Sequence, residues 1–468
     1  MFFTMKRLLV LLCCSVLSAV TLSAKGWGNE YRAIEKRIVA PTFPDRQYMI
    51  ADFGASQQAT AAENQRAINS AIKTCSQAGG GRVVVPSGTW LTGALTLQSR
   101  VNLVIEKGAT LLFAFEPDLY PLVKTRWEGV DCWNYQPMVY AYQCRDVAIT
   151  GEGTIDGNGS KETWWGMTGY EGWGWHEGME AQRYGVRDRL LKQCNDNVPI
   201  KDRIYGKDCG LRPQLINLYE CQNVLVEGVT FLRSPFWVLH PLKCKNLTVR
   251  NVKVWNEGPN GDGCDPEACE DVLIEGCTFH TGDDCIAIKG GRNVDGRQPG
   301  NLSQNIIVRH CKMEDGHGGV VLGSEISGGA RNVYVHDCQM DSKHLDRVIR
   351  IKTNSCRGGV IENIFVRDIE VGQCRECVLK INLNYDPKEQ YGRGHNPIVR
   401  NVWLDRVNSK GSKYGIFVIG LEDACNVSGI HVSNSRFDGV TSDALKKTGR
   451  SEPLDLKRVY VNGKEIRD

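Results

Sequence analysis

NVLVEGVTF (residues 223–231) returns as NLTVRNVKV (246–254), DVLIEGCTF (271–279), NIIVRHCKM (305–313), NVYVHDCQM (332–340), NIFVRDIEV (363–371) and NVWLDRVNS (401–409). Seven copies of one nine-residue unit start 23, 25, 34, 27, 31 and 38 residues apart. Constant strands with variable spacing are the pattern of a solenoid whose turns carry loops of different length on one side. Each copy opens with Asn or Asp, which tolerate a tight bend. It then mixes apolar and polar positions as a half-buried strand does, Val224, Val226 and Val229 beside Glu227 and Thr230. The reading is an all-β chain folded as a single-domain, right-handed parallel β-helix.

Cysteines follow the same register. Cys277, Cys311 and Cys338 stand six residues after a unit start, and Cys144, Cys221, Cys244 and Cys269 two before one, with Asp146 opening an earlier copy. Two ladders of small, buried thiols inside the coil are expected, with bridges placed instead in the long loops, among Cys132, Cys194, Cys209, Cys356 and Cys425. No pair of CxxC motifs has zinc spacing; Cys374/Cys377 stands alone.

Ahead of the repeats, residues 48–112 read as an opening module. AAENQRAINSAIKTCSQAG has helical spacing at Ala67, Ile68, Ala71, Ile72 and Cys75. Such a helix would cap the open end of the sheet, which would otherwise pair with another chain. Residues 1–24 carry Lys6 and Arg7, a short apolar run and then small residues, in the order of a secretory signal. Cys13 or Cys14 as a lipid-anchored residue is a weaker alternative, because small residues do not precede them. An exported protein, periplasmic or extracellular, with 25–468 as its one domain is expected, and no membrane span. Seventeen of the 19 cysteines lie beyond the signal, an odd number, so at least one thiol stays unpaired within a chain. A formal net charge of +3 gives no general reason to expect nucleic acid as a partner. Oligomeric state is left open by the sequence.

One segment, about 160–210, breaks the repeat. It is rich in Trp and charge, and Trp164, Trp165, Trp173 and Trp175 either stack on sugar faces or form the insertion's own small core.

Chemistry gathers in NGDGCDPEACEDVLIEGCTFHTGDDCIAIK (260–289). Asp283 and His317 each stand twelve residues after a unit start and so share a corner of adjacent coils. Asp262 stands sixteen after Asn246, and Arg350 eighteen after Asn332. Coils about 4.8 Å apart would then line one groove with Asp262, Asp283, Asp284, His317, Arg350 and Lys352. As solvated turn residues any one of these is unremarked; as a set they are the carboxylates and cations that acid/base hydrolysis of a glycosidic bond needs.

Asn260-Gly261-Asp262, Gly282-Asp283-Asp284, Gly316-His317-Gly318 and Arg350-Ile351-Lys352, in this order, resemble the four signatures of the pectin-degrading polygalacturonase family, glycoside hydrolase family 28. Gly261 departs from the family's usual Thr, which leaves the carboxylate assignment intact and alters the local hydrogen bonding. The resemblance implies hydrolysis of α-1,4-galacturonosyl bonds with inversion and no cofactor or metal, with an acidic galacturonan as substrate partner. It implies Asp283 as general acid, Asp262 and Asp284 holding the water, His317 tuning the acid, Asn260 positioning Asp262, and Arg350 and Lys352 binding the substrate carboxylate. Lys289 and Arg292, following the double Asp, would add to the basic lining. An inverting pair typically stands about 6.5–9.5 Å apart, which leaves room for that water.

The insertion and Thr125-Arg126-Trp127-Glu128-Gly129 resemble those of exo-type bacterial members, so exo action is expected over endo action. The intact Asp283-Asp284 pair favours homogalacturonan over rhamnogalacturonan, whose hydrolases usually carry Glu at one of these positions. Two other classes stay open on the residues alone. A pectate lyase would hold Ca²⁺ in the carboxylate cluster, and a non-catalytic carbohydrate-binding β-helix would give no account of His317 and Arg350 beside three Asp.

Overall fold

Two residues of every unit take a left-handed backbone, and these turn the coil. The opening Asn or Asp has φ between +55° and +58° at residues 223, 246, 271, 305, 332, 363 and 401, and five residues later Gly228, Asn251, Gly276, His310, Asp337, Asp368 and Arg406 are also left-handed. The second bend divides what the sequence presents as one strand. In an early coil Gln222–Glu227 and Thr230–Leu232 are separate, whereas Ala330–Met340 and Val360–Val371 run on as one.

Left-handed residues other than Gly cost roughly 1–2 kcal/mol each. A side-chain ladder offsets this at the opening corner. Asn246 Nδ2 donates to Asn223 Oδ1 at 2.9 Å, Asn305 to Asp271 at 3.0 Å, Asn332 to Asn305 at 3.1 Å and Asn363 to Asn332 at 3.2 Å, each bond contributing about 1 kcal/mol.

The computed structural model describes residues 27–389 and 391–468; the expected export signal at 1–24, with Cys13 and Cys14, lies outside them. Coils pair in parallel and in register, with Val224, Leu247, Val272, Ile306, Val333, Ile364 and Val402 in one inward column. All seven are buried. The chain is thus a right-handed parallel β-helix. A further face is built from Ile216–Tyr219 and Leu239–Leu242, and later from Ile286–Ile288, Val320–Gly323, Arg347–Lys352 and Cys377–Asn382. Between these two groups only single bridges through Cys264 and Glu267 continue the pairing. Pro266 stands there, without an N–H for the ladder.

Ala61–Gln77 is the expected capping helix. Thr60 and Glu63 form a capping box, and Ala67, Ile68, Ala71, Ile72 and Cys75 face the core. A second helix, Asn29–Arg37, was not anticipated; Tyr31 and Ile34 lie on Leu273, Ile307, Tyr334 and Phe365 outside the coil, and Arg37 clamps Asp271 at 2.7 Å.

The seventeen described cysteines are all free. The loop bridges expected among Cys132, Cys194, Cys209, Cys356 and Cys425 are therefore absent. Cys132 and Cys194 pack instead with Trp127, Leu190, Tyr205 and Phe236 in a small apolar core beside the coil, while Cys425 is exposed.

Candidate active site

Successive coils turn toward one side at Asp262, at Asp283-Asp284 and at His317, and backbone bonds lock the turns together. Gly263 N donates to Asp284 O, and His317 N to Asp283 O, both at 2.9 Å. Arg350 and Lys352 follow on Arg347–Lys352, in register with Val321 and Gly323 of the preceding coil. The structure thus brings together all the residues that the sequence places in one groove. One oxygen of each of Asp262, Asp283 and Asp284 lies within 4.8 Å of the others.

The three carboxylates have different surroundings. Asp284 is fully buried; Lys352 Nζ donates to its Oδ2 at 2.6 Å and Arg350 Nη1 to its Oδ1 at 3.3 Å. Asp283 is the most accessible, its side chain 21% exposed, and Oδ1 meets His317 Nδ1 at 3.0 Å. Burial would push its carboxyl up, but the His317 hydrogen bond and the Lys352 charge outweigh it and hold Asp283 below the ordinary carboxylate range. The same bond raises His317. Asp262 is nearly buried, and desolvation followed by repulsion from Asp283 pushes it up to about 7, against Lys289, whose Nζ is 3.4 Å away. Of these two, Asp262 therefore takes up a proton the more readily and Asp283 the less.

Arg350 and Lys352 are not free cations waiting for an acidic sugar, as the sequence suggests, since both are spent in part on Asp284. Lys289 likewise serves Asp262, Asp265 and Glu325. A divalent cation bridging the trio would meet oxygens of Asp262 and Asp284 that already carry an ammonium or guanidinium group. Asn260, with φ +53°, accepts from buried Arg212 at 2.7 Å, which fixes the turn into Asp262. The Gly261 departure has a steric basis: a Cβ there would stand 2.6 Å from Gly258 O.

The carboxylates open into a cavity of about 250 Å³. Its wall is ion-paired: Glu128 holds Arg187 at 2.7 Å and Arg292 at 3.2 Å, and Glu389 holds Arg292 at 3.1 Å and Arg357 at 2.6 Å. Glu128 stands at the tip of the hairpin Leu122–Trp127/Val130–Tyr135, and Arg187 lies in the first turn of the insertion's helix Val186–Asn195. The insertion's tryptophans do not line this cavity. Trp164 is buried against Phe115 and Tyr120, Trp165 meets Trp173, and Trp175 lies on Tyr184.

Several site residues escaped the sequence reading. Trp237, Glu325 and Tyr385 line the cavity; Lys289 Nζ sits 4.2 Å above the Trp237 ring, and Lys352 Nζ 5.3 Å above Tyr385. Beneath them Arg126, fully buried, pairs with Asp131 and Glu267, and Glu267 with His240. Asp265 and Glu267 were visible in CDPEACE, but only their burial distinguishes them from turn acids.

With this geometry in hand, comparison is decisive. The family described as Glycosyl hydrolases family 28 matches residues 197–451, more than half of the chain. The chain belongs to this family. Among solved structures, a hyperthermoactive exopolygalacturonase from Thermotoga maritima is 38% identical, with TM-score 0.88 over 93% of this chain and 96% of that one. An exo-poly-alpha-D-galacturonosidase of Dickeya chrysanthemi is 25% identical over 464 residues, covering 89% of this chain and 74% of that protein. A probable polygalacturonase of Vitis vinifera is 29% identical over 347 residues; the match takes in 72% of this chain but only 62% of that protein's length. As a family 28 member the chain is a glycoside hydrolase. No helix among its described residues is long and apolar enough to cross a membrane.

Proposed function

We propose that the protein is an exo-acting polygalacturonase, hydrolysing terminal α-1,4-galacturonosyl bonds of polygalacturonate or its oligomers. The observation that carries this is the division of labour among three carboxylates within 4.8 Å: one clamped by cations, one paired with a histidine at the cavity mouth, and one pushed up to about 7.

Asp283, the accessible member, donates the proton to the glycosidic oxygen. Asp262 and Asp284 hold the water that attacks the anomeric carbon, and Asp262 takes the proton that this water loses. A turnover therefore ends with Asp262 protonated and Asp283 ionised. Before the next turnover the proton returns to Asp283 across the short gap between them. Arg350 gives only one of its N–H groups to Asp284, and the others, with Lys352 behind them, are offered to the sugar carboxylate. Inversion follows from the family, and ¹H NMR of the first anomer released is the check.

Exo action is supported by the ion-paired wall of Glu128, Arg187, Arg292 and Arg357, by a cavity below the roughly 300–1,000 Å³ of drug-sized sites, and by likeness to the two exo-acting relatives. The substrate is taken as homogalacturonan. We place its action outside the cytoplasm, on the signal pattern at 1–24. Product sizes from defined oligogalacturonides test the reading. Monomer or dimer release alone supports it; a ladder of intermediate products means endo action; an unsaturated uronide lost with a chelator means a lyase; no cleavage leaves binding alone.

A further inference from the structure

Asp265 lies three residues beyond Asp262, fully buried, and neither of its oxygens receives a hydrogen bond from any described donor. Its one countercharge is Lys289, with Nζ 3.5 Å from Oδ1. That ammonium is shared. It also stands 3.4 Å from Asp262 Oδ2 and 3.1 Å from Glu325 Oε2, while Glu325 has a second partner in Arg292 at 3.6 Å. The charged or titratable groups facing Asp265 are thus Asp262, Asp284, Lys289 and the neighbouring thiol of Cys264. A single ammonium cannot offset Asp262, Asp265 and Glu325 together in a buried site, where an unpaired carboxylate costs several kcal/mol or more. Glu325 keeps its charge, held well down by Lys289 and Arg292 against burial. The Asp262/Asp265 pair is the one short of positive charge.

We propose that Asp265 is a positioning residue held as a neutral carboxylic acid, whose O–H donates to the carboxylate of Asp262 and so aims that carboxylate at the attacking water. A neutral acid explains why two buried oxygens tolerate the absence of other donors, and it gives Lys289 only the charges it can balance. Desolvation and then the Asp262 charge push Asp265 well above the ordinary carboxylate range, as this arrangement requires. The donated bond stabilises the ionised form of Asp262, which is the form that accepts a proton from water. The inference rests on the reading of Asp262 as a base.

The test compares Asp265→Asn, whose amide still donates, with Asp265→Ala, which removes the donor. Asp265→Asn is expected to keep kcat within about threefold and leave the pH–rate profile in place, because the donated bond survives. Asp265→Ala is expected to move the acidic limb up by about one pH unit, since the Asp262 carboxylate loses its donor. Melting curves confirm that each variant is folded. A folded Asp265→Asn with kcat down about 100-fold or more overturns the inference, because an ionised Asp265 would then be required. An unmoved acidic limb in folded Asp265→Ala also overturns it. If Asp265→Ala does not fold, Asp265→Asn decides alone. Asp262→Asn run alongside separates the two readings: activity retained there removes the base assignment, whereas activity lost there together with an inactive, folded Asp265→Asn removes only the role of Asp265.

Discussion

Lys352 Nζ lies 2.6 Å from Asp284 Oδ2, with both side chains buried. A cation that the sequence offers to the substrate is therefore first a clamp on a carboxylate of the site. Replacing Lys352 by Met should lower kcat by about 100-fold, on the scale of removing one preorganised charged donor. Salt should change the residual activity little, because buried charges are poorly screened. Steady-state kinetics at two ionic strengths check this; a variant with wild-type kcat and a raised KM at low salt would return Lys352 to simple substrate binding.

Asp262 gives a pH dependence of known sign. Its folded value, about 7, lies above the roughly 3.9 of an unfolded Asp. Folding is therefore favoured most below about pH 4, and that contribution is lost as pH rises to about 7. Asp262→Asn removes the ionisation, so its melting temperature relative to wild type should rise between about pH 4 and pH 7 and level off above. Thermal melts across that range provide the comparison, and a difference that does not change with pH contradicts the assignment.

Trp173 and Trp175 pack within the insertion, away from the carboxylate cavity. Trp173→Ala should leave KM for short oligogalacturonides within about twofold of wild type, as expected of a group outside the binding surface. A tenfold rise would restore the sugar-stacking role.

The coil was legible because its signal is repeated. Seven copies of one unit expose the corner Asn, the inward Val and Ile and the thiol ladders, and spacing counted from unit starts puts Asp283 and His317 on one corner. Partners within the site were not legible. Asp265 and Glu267 look like ordinary turn acids beside Pro266, and only the fold shows them buried around Lys289 and Arg126. Arg126 and Glu128 arrive from a hairpin more than 100 residues before the carboxylates, with no periodicity linking them to the repeat. The sequence left the Trp-rich segment with two roles, since aromatic rings serve a core as readily as a sugar face, and only the fold shows its tryptophans away from the carboxylate cavity.

The assignment of Asp283 as general acid is tested most directly by a substrate that needs no acid. Asp283→Asn should turn over an oligogalacturonide about 10²–10⁴-fold more slowly than wild type, the usual worth of a general acid. On galacturonosyl fluoride, whose leaving group departs without a proton, it should recover to near the wild-type rate, while Asp262→Asn and Asp284→Asn, which still lack a hold on the water, stay slow. Equal loss on both substrates for Asp283→Asn, with recovery in Asp262→Asn instead, would contradict the account and move the acid to Asp262.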